Sequence, residues 1–225
     1  MSTYITDEQR ELNKDRFLDE LDMISREGFR KYELIEYLSA KSDFFTAPAS
    51  TRFHNSFAGG LCDHSLHVYD NMKKLQSVYP QFSGLMDDSI RIVSLLHDIA
   101  KTNYYIAAAK NVKVYSPTGS KYDSCGRYDW ESVMGYTVDD SKRFLYGNHE
   151  MTSEFLVRQF VPLSVDESIA ILHHHGGMST DCAKDNITEI YNRNPLATML
   201  HLADMMATYL DEQTFKDMNN EQTSI

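Results

Sequence analysis

Two aspartates in this sequence stand where the surrounding pattern is apolar. Asp98 follows Ser94-Leu95-Leu96-His97 in a stretch that reads as a buried helix, and Asp204 sits within Leu202-Ala203-Asp204-Met205-Met206. A buried carboxylate is costly unless it is paired or bound to a cation. Histidines lie at comparable places: His97 directly precedes Asp98, and His64 lies at the head of another helical pattern. Imidazole nitrogens combined with carboxylate oxygens suit a first-row divalent ion of intermediate hardness, such as Mn²⁺, Fe²⁺, Co²⁺ or Ni²⁺.

The elements that would carry these residues are mostly helical. Thr6 and Gln9 are spaced as a capping box before a stripe of Leu12, Phe17, Leu21 and Ile24, which predicts a long N-terminal helix and a second one after a break near Gly28. A loop over about 44–60 is marked by Pro48 and Gly59-Gly60. Helical spacing returns in Leu61, Val68, Met72 and Leu75, ending near Pro80. The run 87–101, with Ile90, Ile92, Val93, Leu95, Leu96 and Ile99, predicts a central helix buried on most sides. Further helices are expected over 149–161, from the Ser164/Glu167 capping box through Leu172 into His173-His174-His175-Gly176-Gly177, and from Asn194-Pro195 to about Leu210. Between 103 and 146 Tyr, Lys, Gly and Ser dominate, and the β-like run Val112-Lys113-Val114-Tyr115 precedes a Pro117-Thr118-Gly119 turn, which predicts a small hairpin insertion.

The strings Gly59-Gly60-Leu61-Cys62-Asp63-His64-Ser65-Leu66, Leu95-Leu96-His97-Asp98-Ile99-Ala100-Lys101 and Leu202-Ala203-Asp204 resemble the H…HD…D signature of HD-domain metal-dependent phosphohydrolases. Among subfamilies, the pattern is most similar to the catalytic domain of bacterial HD-type 3′-to-5′ exoribonucleases, which share the GGL…H opening and a His-His-Gly segment. The fold implied is all-α: a single HD-domain helical bundle over 1–225, with N-terminal helices in 1–45, an HD core in 50–210, the hairpin insertion at 103–146 and a flexible tail at 217–225.

The resemblance also implies roles. His64, His97, Asp98 and Asp204 would hold one metal ion, and Asp98 would bridge to a second completed by His149 and His174. Lys101 would face the phosphate, and His175 could relay a proton to the leaving group. The family often has Gly where Ala100 stands and Glu where Asp63 stands; neither change removes a ligand. His54, His67 and His201 read as structural, with His54 able to reach phosphate.

The function expected is hydrolysis of a phosphate ester or diester of a nucleotide or short oligonucleotide by metal-activated water, with one or two divalent ions, Mn²⁺ first. The alternatives are a 3′-to-5′ exonuclease on RNA or DNA, and a non-catalytic nucleotide-binding regulatory module. The formal charge of −11 repels polyphosphate backbones and anionic membranes, so no stable long nucleic-acid partner is expected. In the insertion, Lys113, Lys121, Arg127, Tyr128 and Trp130 either simply build and solubilise a hairpin or hold phosphate and stack a base. Cys62, Cys125 and Cys182 have no CxxC spacing and fit free thiols in a reducing compartment. Without an apolar leader or spanning run, the chain is expected to be cytoplasmic.

Overall fold

In a computed structural model of the chain, residues 5–142, 148–178 and 185–212 are described. Cys182, the 217–225 tail and the last residues of the expected insertion lie outside them. Helix α1 (Asp7–Asp22) opens with the Thr6 side chain accepting from the Gln9 amide, as the capping-box spacing predicts. Its buried Phe17 and Leu21 face the core. The break at Gly28, whose φ of 76° suits glycine, leads to α2 (Lys31–Glu36) and a π-helical turn, Tyr37–Lys41.

Helix α3 (Gly60–Val78) starts at the Gly59-Gly60 pair. A Cβ on Gly60 would lie 2.0 Å from the Asn55 carbonyl oxygen, so only glycine lets the helix begin against the preceding loop. Helix α4 (Asp87–Leu96) is the expected central helix, with Ile90, Ile92, Val93, Leu95 and Leu96 fully buried. It stops sooner than the apolar run suggested. His97 is its last cap, Asp98 leaves helical geometry at φ −109°, ψ 17°, and Ile99–Lys101 form a 3₁₀ turn. The His-Asp pair thus sits at a break between helical segments, where neither side chain must follow a helical face.

Helices α5 (His149–Arg158), α6 (Val165–Leu172), α7 (Ile187–Arg193) and α8 (Pro195–Met206) complete the helical part, and a π-helical turn, Ala207–Asp211, follows α8. Helix α3 packs against both α4 and α8, while α6 packs on α8 and α5 on α6. One cluster of buried apolar side chains runs from Phe17 to Ala207 through these helices. None of the described helices is long and apolar enough to cross a membrane.

The all-α expectation is overturned. Between α4 and α5 the chain forms β1 (Tyr105–Tyr115), β2 (Lys121–Asp123) and β3 (Gly126–Val138), an antiparallel sheet of order β1-β3-β2. The fold is mixed, with helices predominating. Strands β1 and β3 pair continuously from Tyr105↔Val138 to Tyr115↔Tyr128, far more than a small hairpin. Both are largely exposed or half-buried, and neither keeps a strict in-out alternation. Such strands carry little of the period-two apolar signal that would reveal them in sequence.

Arg26 ties the N-terminal segment to α6 by a two-pronged ion pair: Nη1 lies 2.5 Å from Glu167 Oε2 and Nη2 2.7 Å from Oε1. Glu167 is buried and also closes the Ser164 capping box. Burial pushes its carboxyl up, but the bonds from Arg26, Ser89 and the Ser164 amide together outweigh this and hold it below its ordinary value of 4.5. Its contribution is therefore present above that pH and lost as pH falls through the lower folded-state value. Replacing Glu167 with glutamine is expected to cost about 2–3 kcal/mol, because a largely buried guanidinium loses its counter-charge. Urea unfolding at pH 7 measures the cost, and the gap between wild type and variant should narrow towards pH 3.

Candidate metal centre

The six residues proposed as ligands converge from five places in the fold. His64 comes from the first turn of α3, His97 and Asp98 from the break after α4, His149 from the start of α5, His174 from the turn after α6, and Asp204 from α8. His64, His97, Asp98 and His174 are at most 1% exposed, and Asp204 is 5% exposed.

Asp98 lies between two sets of imidazoles. Its Oδ2 is 3.7 Å from His64 Nε2 and 3.5 Å from His97 Nε2. Its Oδ1 is 3.5 Å from His149 Nε2 and 3.7 Å from His174 Nε2. Asp204 closes the first set, its Oδ1 lying 3.2 Å from His64 Nε2, and its Oδ2 reaches to 3.6 Å from His175 Nε2. Ligand-type atoms of His64, His97 and Asp204, of His97, Asp98 and His174, and of His149, His174 and His175 lie within 4.8 Å of one another in each group.

The ring tautomers are fixed from behind. His97 Nδ1 lies 2.9 Å from the Ser94 carbonyl, and His174 Nδ1 2.7 Å from that of Ile171. A carbonyl only accepts, so each Nδ1 carries the proton and each Nε2 presents a lone pair to the centre. The Nε2 atoms of His64, His97, His149 and His174 and Oδ1 of Asp98 are buried without a hydrogen-bond partner among the described residues. Five orphaned atoms aimed at one another would be a large penalty in a protein interior unless something accepts their lone pairs.

Electrostatics agrees. Four buried carboxylates (Asp98, Glu150, Asp204 and Glu212) meet a single buried ammonium, Lys101, whose Nζ donates to Asp98 Oδ2 at 2.6 Å. Burial pushes Asp98 up, yet Lys101 and the neighbouring imidazoles hold it well below the usual carboxylate range. Burial likewise opposes ionisation of Asp204, and His64 reverses the effect. Burial lowers His97 and His174 and takes His149 down to about 3, which keeps their rings neutral. For His64, burial is overcome by Glu212 and Asp204, which raise it to about 10 in the metal-free protein. A proton there occupies the place between Nε2 and Asp204 that a cation would take. These buried His/Asp clusters can therefore hold a metal ion.

Two glutamates were not foreseen. Glu150 lies beneath His149 and His175: its Oε1 is 2.9 Å from His175 Nδ1 and its Oε2 3.2 Å from His149 Nδ1. Glu212 sits behind His64, with Oε1 3.0 Å from Nδ1, and takes His67 Nδ1 at 3.0 Å as well. Glu150 did follow His149 directly in the sequence, but an acidic residue in a first helical turn is ordinary. Glu212 carried no signal.

The insertion residues are placed elsewhere. Tyr105, at the base of β1, is close enough to Lys101 and Asp98 for their charges to act on its hydroxyl. Lys113 is eight residues further along the strand, roughly 26 Å at ~3.3 Å per residue. Trp130 pairs with Lys113, Tyr128 with Tyr115 and Lys121, and Arg127 with Tyr122, all in the distal part of the sheet. Lys113 is spent locally, bonded to Asp123 and lying 4.3 Å over the Tyr128 ring. These five residues are thus not brought to the metal centre.

No protein-family model, curated protein or solved structure matches this chain.

Proposed function

We propose that the protein is an HD-type metal-dependent phosphohydrolase acting on a phosphate ester or diester of a nucleotide or short oligonucleotide. The observation that carries this reading is the set of five buried, partnerless ligand atoms on His64, His97, Asp98, His149 and His174. His64, His97, Asp98 and Asp204 would hold a first divalent ion, Mn²⁺ foremost, and Asp98, His149 and His174 a second. Bound there, such ions supply a hydroxide-generating Lewis acid near neutral pH and polarise phosphoryl oxygens.

The chain's own groups do the rest. Lys101, kept protonated by Asp98 against its burial, places a fixed positive charge beside the reacting phosphate, where negative charge grows in the transition state. His175 is held by Glu150 through Nδ1, and its Nε2 side faces Asp204, so it can deliver a proton to the departing oxygen. Burial of the ligand set keeps bulk water from competing with these contacts.

Elemental analysis of protein purified without chelator is expected to find one to two equivalents of a transition metal. A content below about half an equivalent, not restored by Mn²⁺, Fe²⁺, Co²⁺ or Ni²⁺, would exclude the centre. The Mn²⁺-loaded protein should release phosphate or nucleotide from mononucleotides, cyclic dinucleotides or short oligonucleotides. Absence of release from all three classes by a fully loaded protein would overturn the hydrolase reading.

A further inference from the structure

Beside the first metal position lies a loop whose chemistry the hydrolytic reading leaves unused. Residues 50–55 form a tight knot: Ser50 Oγ accepts the amides of Phe53 at 2.9 Å and His54 at 3.0 Å and donates to the His54 carbonyl at 2.7 Å. Asn55 holds a positive φ of 41°, and its side chain donates to Asp63 at 2.8 Å. Lys110 of β1 reaches across and donates to the Thr51 carbonyl at 2.7 Å. The loop is therefore fixed by bonds on three sides.

What the knot presents is His54. Its ring centroid is 4.9 Å from that of His64, and it lies within electrostatic reach of Lys101 and Asp204. Both ring nitrogens are buried, and neither has a hydrogen-bond partner among the described residues. An imidazole always carries at least one N–H, so this is a buried donor with nothing to donate to, which is costly unless a ligand meets it.

His54 could join an ion only in a grouping whose carboxylate, Glu212, is already taken by the Nδ1 atoms of His64 and His67. The grouping of ligand atoms that includes it uses His64 and Glu212, with none of His97, Asp98 and Asp204. Outward from His54 the loop continues to exposed Arg52, close enough for its charge to act on Lys110. In a chain of net charge −11, Lys101, His54, Lys110 and Arg52 thus make a track of donors leading away from the metals. Such a track draws in an anion locally where the average surface repels it.

We propose that the 50–55 loop, with Lys110, is a second phosphate subsite, and that the substrate carries a further phosphate next to the one hydrolysed. His54 donates to that phosphate, and Arg52 and Lys110 balance its charge. This rests on the phosphohydrolase reading for the first phosphate. The class is a nucleoside diphosphate or a 5′-phosphorylated dinucleotide, in preference to a nucleoside monophosphate.

The test uses the full-length, Mn²⁺-loaded protein and three ligands sharing one base: the monophosphate, the diphosphate and the 5′-phosphorylated dinucleotide. KM is measured for each, together with the ligand-induced shift in Tm, which needs no turnover, and metal content. Wild type should favour the two-phosphate ligands, and His54→Gln, Arg52→Gln and Lys110→Gln should each reduce that preference by roughly tenfold with metal content retained. Which two-phosphate ligand loses more tells whether the outer phosphate belongs to a diphosphate or to a neighbouring nucleotide. An unchanged preference in Arg52→Gln and His54→Gln would overturn the subsite, as would loss of metal from His54→Gln, which would make His54 a ligand. If wild type hydrolyses none of the ligands but its Tm shifts with two-phosphate ligands and the variants abolish that shift, the subsite stands and the hydrolase reading falls. If neither hydrolysis nor a shift occurs, both fall.

Discussion

Asp98→Asn is expected to lower turnover by about 10³-fold or more, equivalent to about 4 kcal/mol of transition-state stabilisation, while the helical content stays near that of wild type. The size of the effect follows from position. Asp98 is the one carboxylate that faces both imidazole sets, Oδ2 towards His64 and His97 and Oδ1 towards His149 and His174. An amide of the same shape offers one neutral oxygen and one donor, so at least one set must face an N–H where it needs a lone pair. Metal content should fall below one equivalent in the same protein. Some loss of stability accompanies it, since Lys101 then lies buried without its 2.6 Å counter-charge. Circular dichroism and elemental analysis separate unfolding from loss of ligation. A folded Asp98→Asn protein keeping more than about a tenth of wild-type turnover would exclude a bridging role.

The parts of this site that sequence made legible are those where a residue contradicts its surroundings. Asp98 and Asp204 are carboxylates in apolar helical runs, and their side chains are indeed nearly closed off from solvent. Glu150 and Glu212 contradict nothing locally. Glu150 opens a helix, a usual place for an acidic residue, and Glu212 follows the last helical turn next to Asp211 in a polar stretch of sequence, so their burial behind histidines is visible only once the chain is folded. The reach of the insertion was hidden for a related reason. Tyr, Lys and Trp around 113–130 look like a nucleotide-binding set when distance is measured along the sequence. The extension of β1 and β3 carries them a strand's length from Tyr105 and pairs Lys113 with Asp123. The helix boundary at Leu96 was hidden as well, because Ile99 continues the apolar pattern although the backbone has turned.

Glu150→Gln should weaken the second metal selectively, by about 10- to 100-fold in affinity, the range for removing a carboxylate that orients a ligating histidine. The carboxylate lies below two rings at once, 2.9 Å from His175 Nδ1 and 3.2 Å from His149 Nδ1, and is 2% exposed. It accepts from His175 Nδ1, directing that ring's Nε2 at Asp204, while its Oε2 makes no hydrogen bond and sets its charge beside His149 Nδ1, whose Nε2 faces Asp98. Glutamine keeps the volume but removes the charge, and its amide nitrogen must face either the His175 Nδ1–H that the carboxylate now accepts or His149 Nδ1, so one ring turns or takes the opposite tautomer. Glu212→Gln is the matching control on the other side, because Glu212 supports His64 and not His149. Stepwise Mn²⁺ titration is expected to show Glu150→Gln losing the weaker equivalent and Glu212→Gln weakening the tighter one, with activity of the former partly regained at high Mn²⁺. A purely structural role would instead lower Tm in the chelator-treated protein while leaving both metal affinities within about twofold of wild type, and that result would remove Glu150 from the centre.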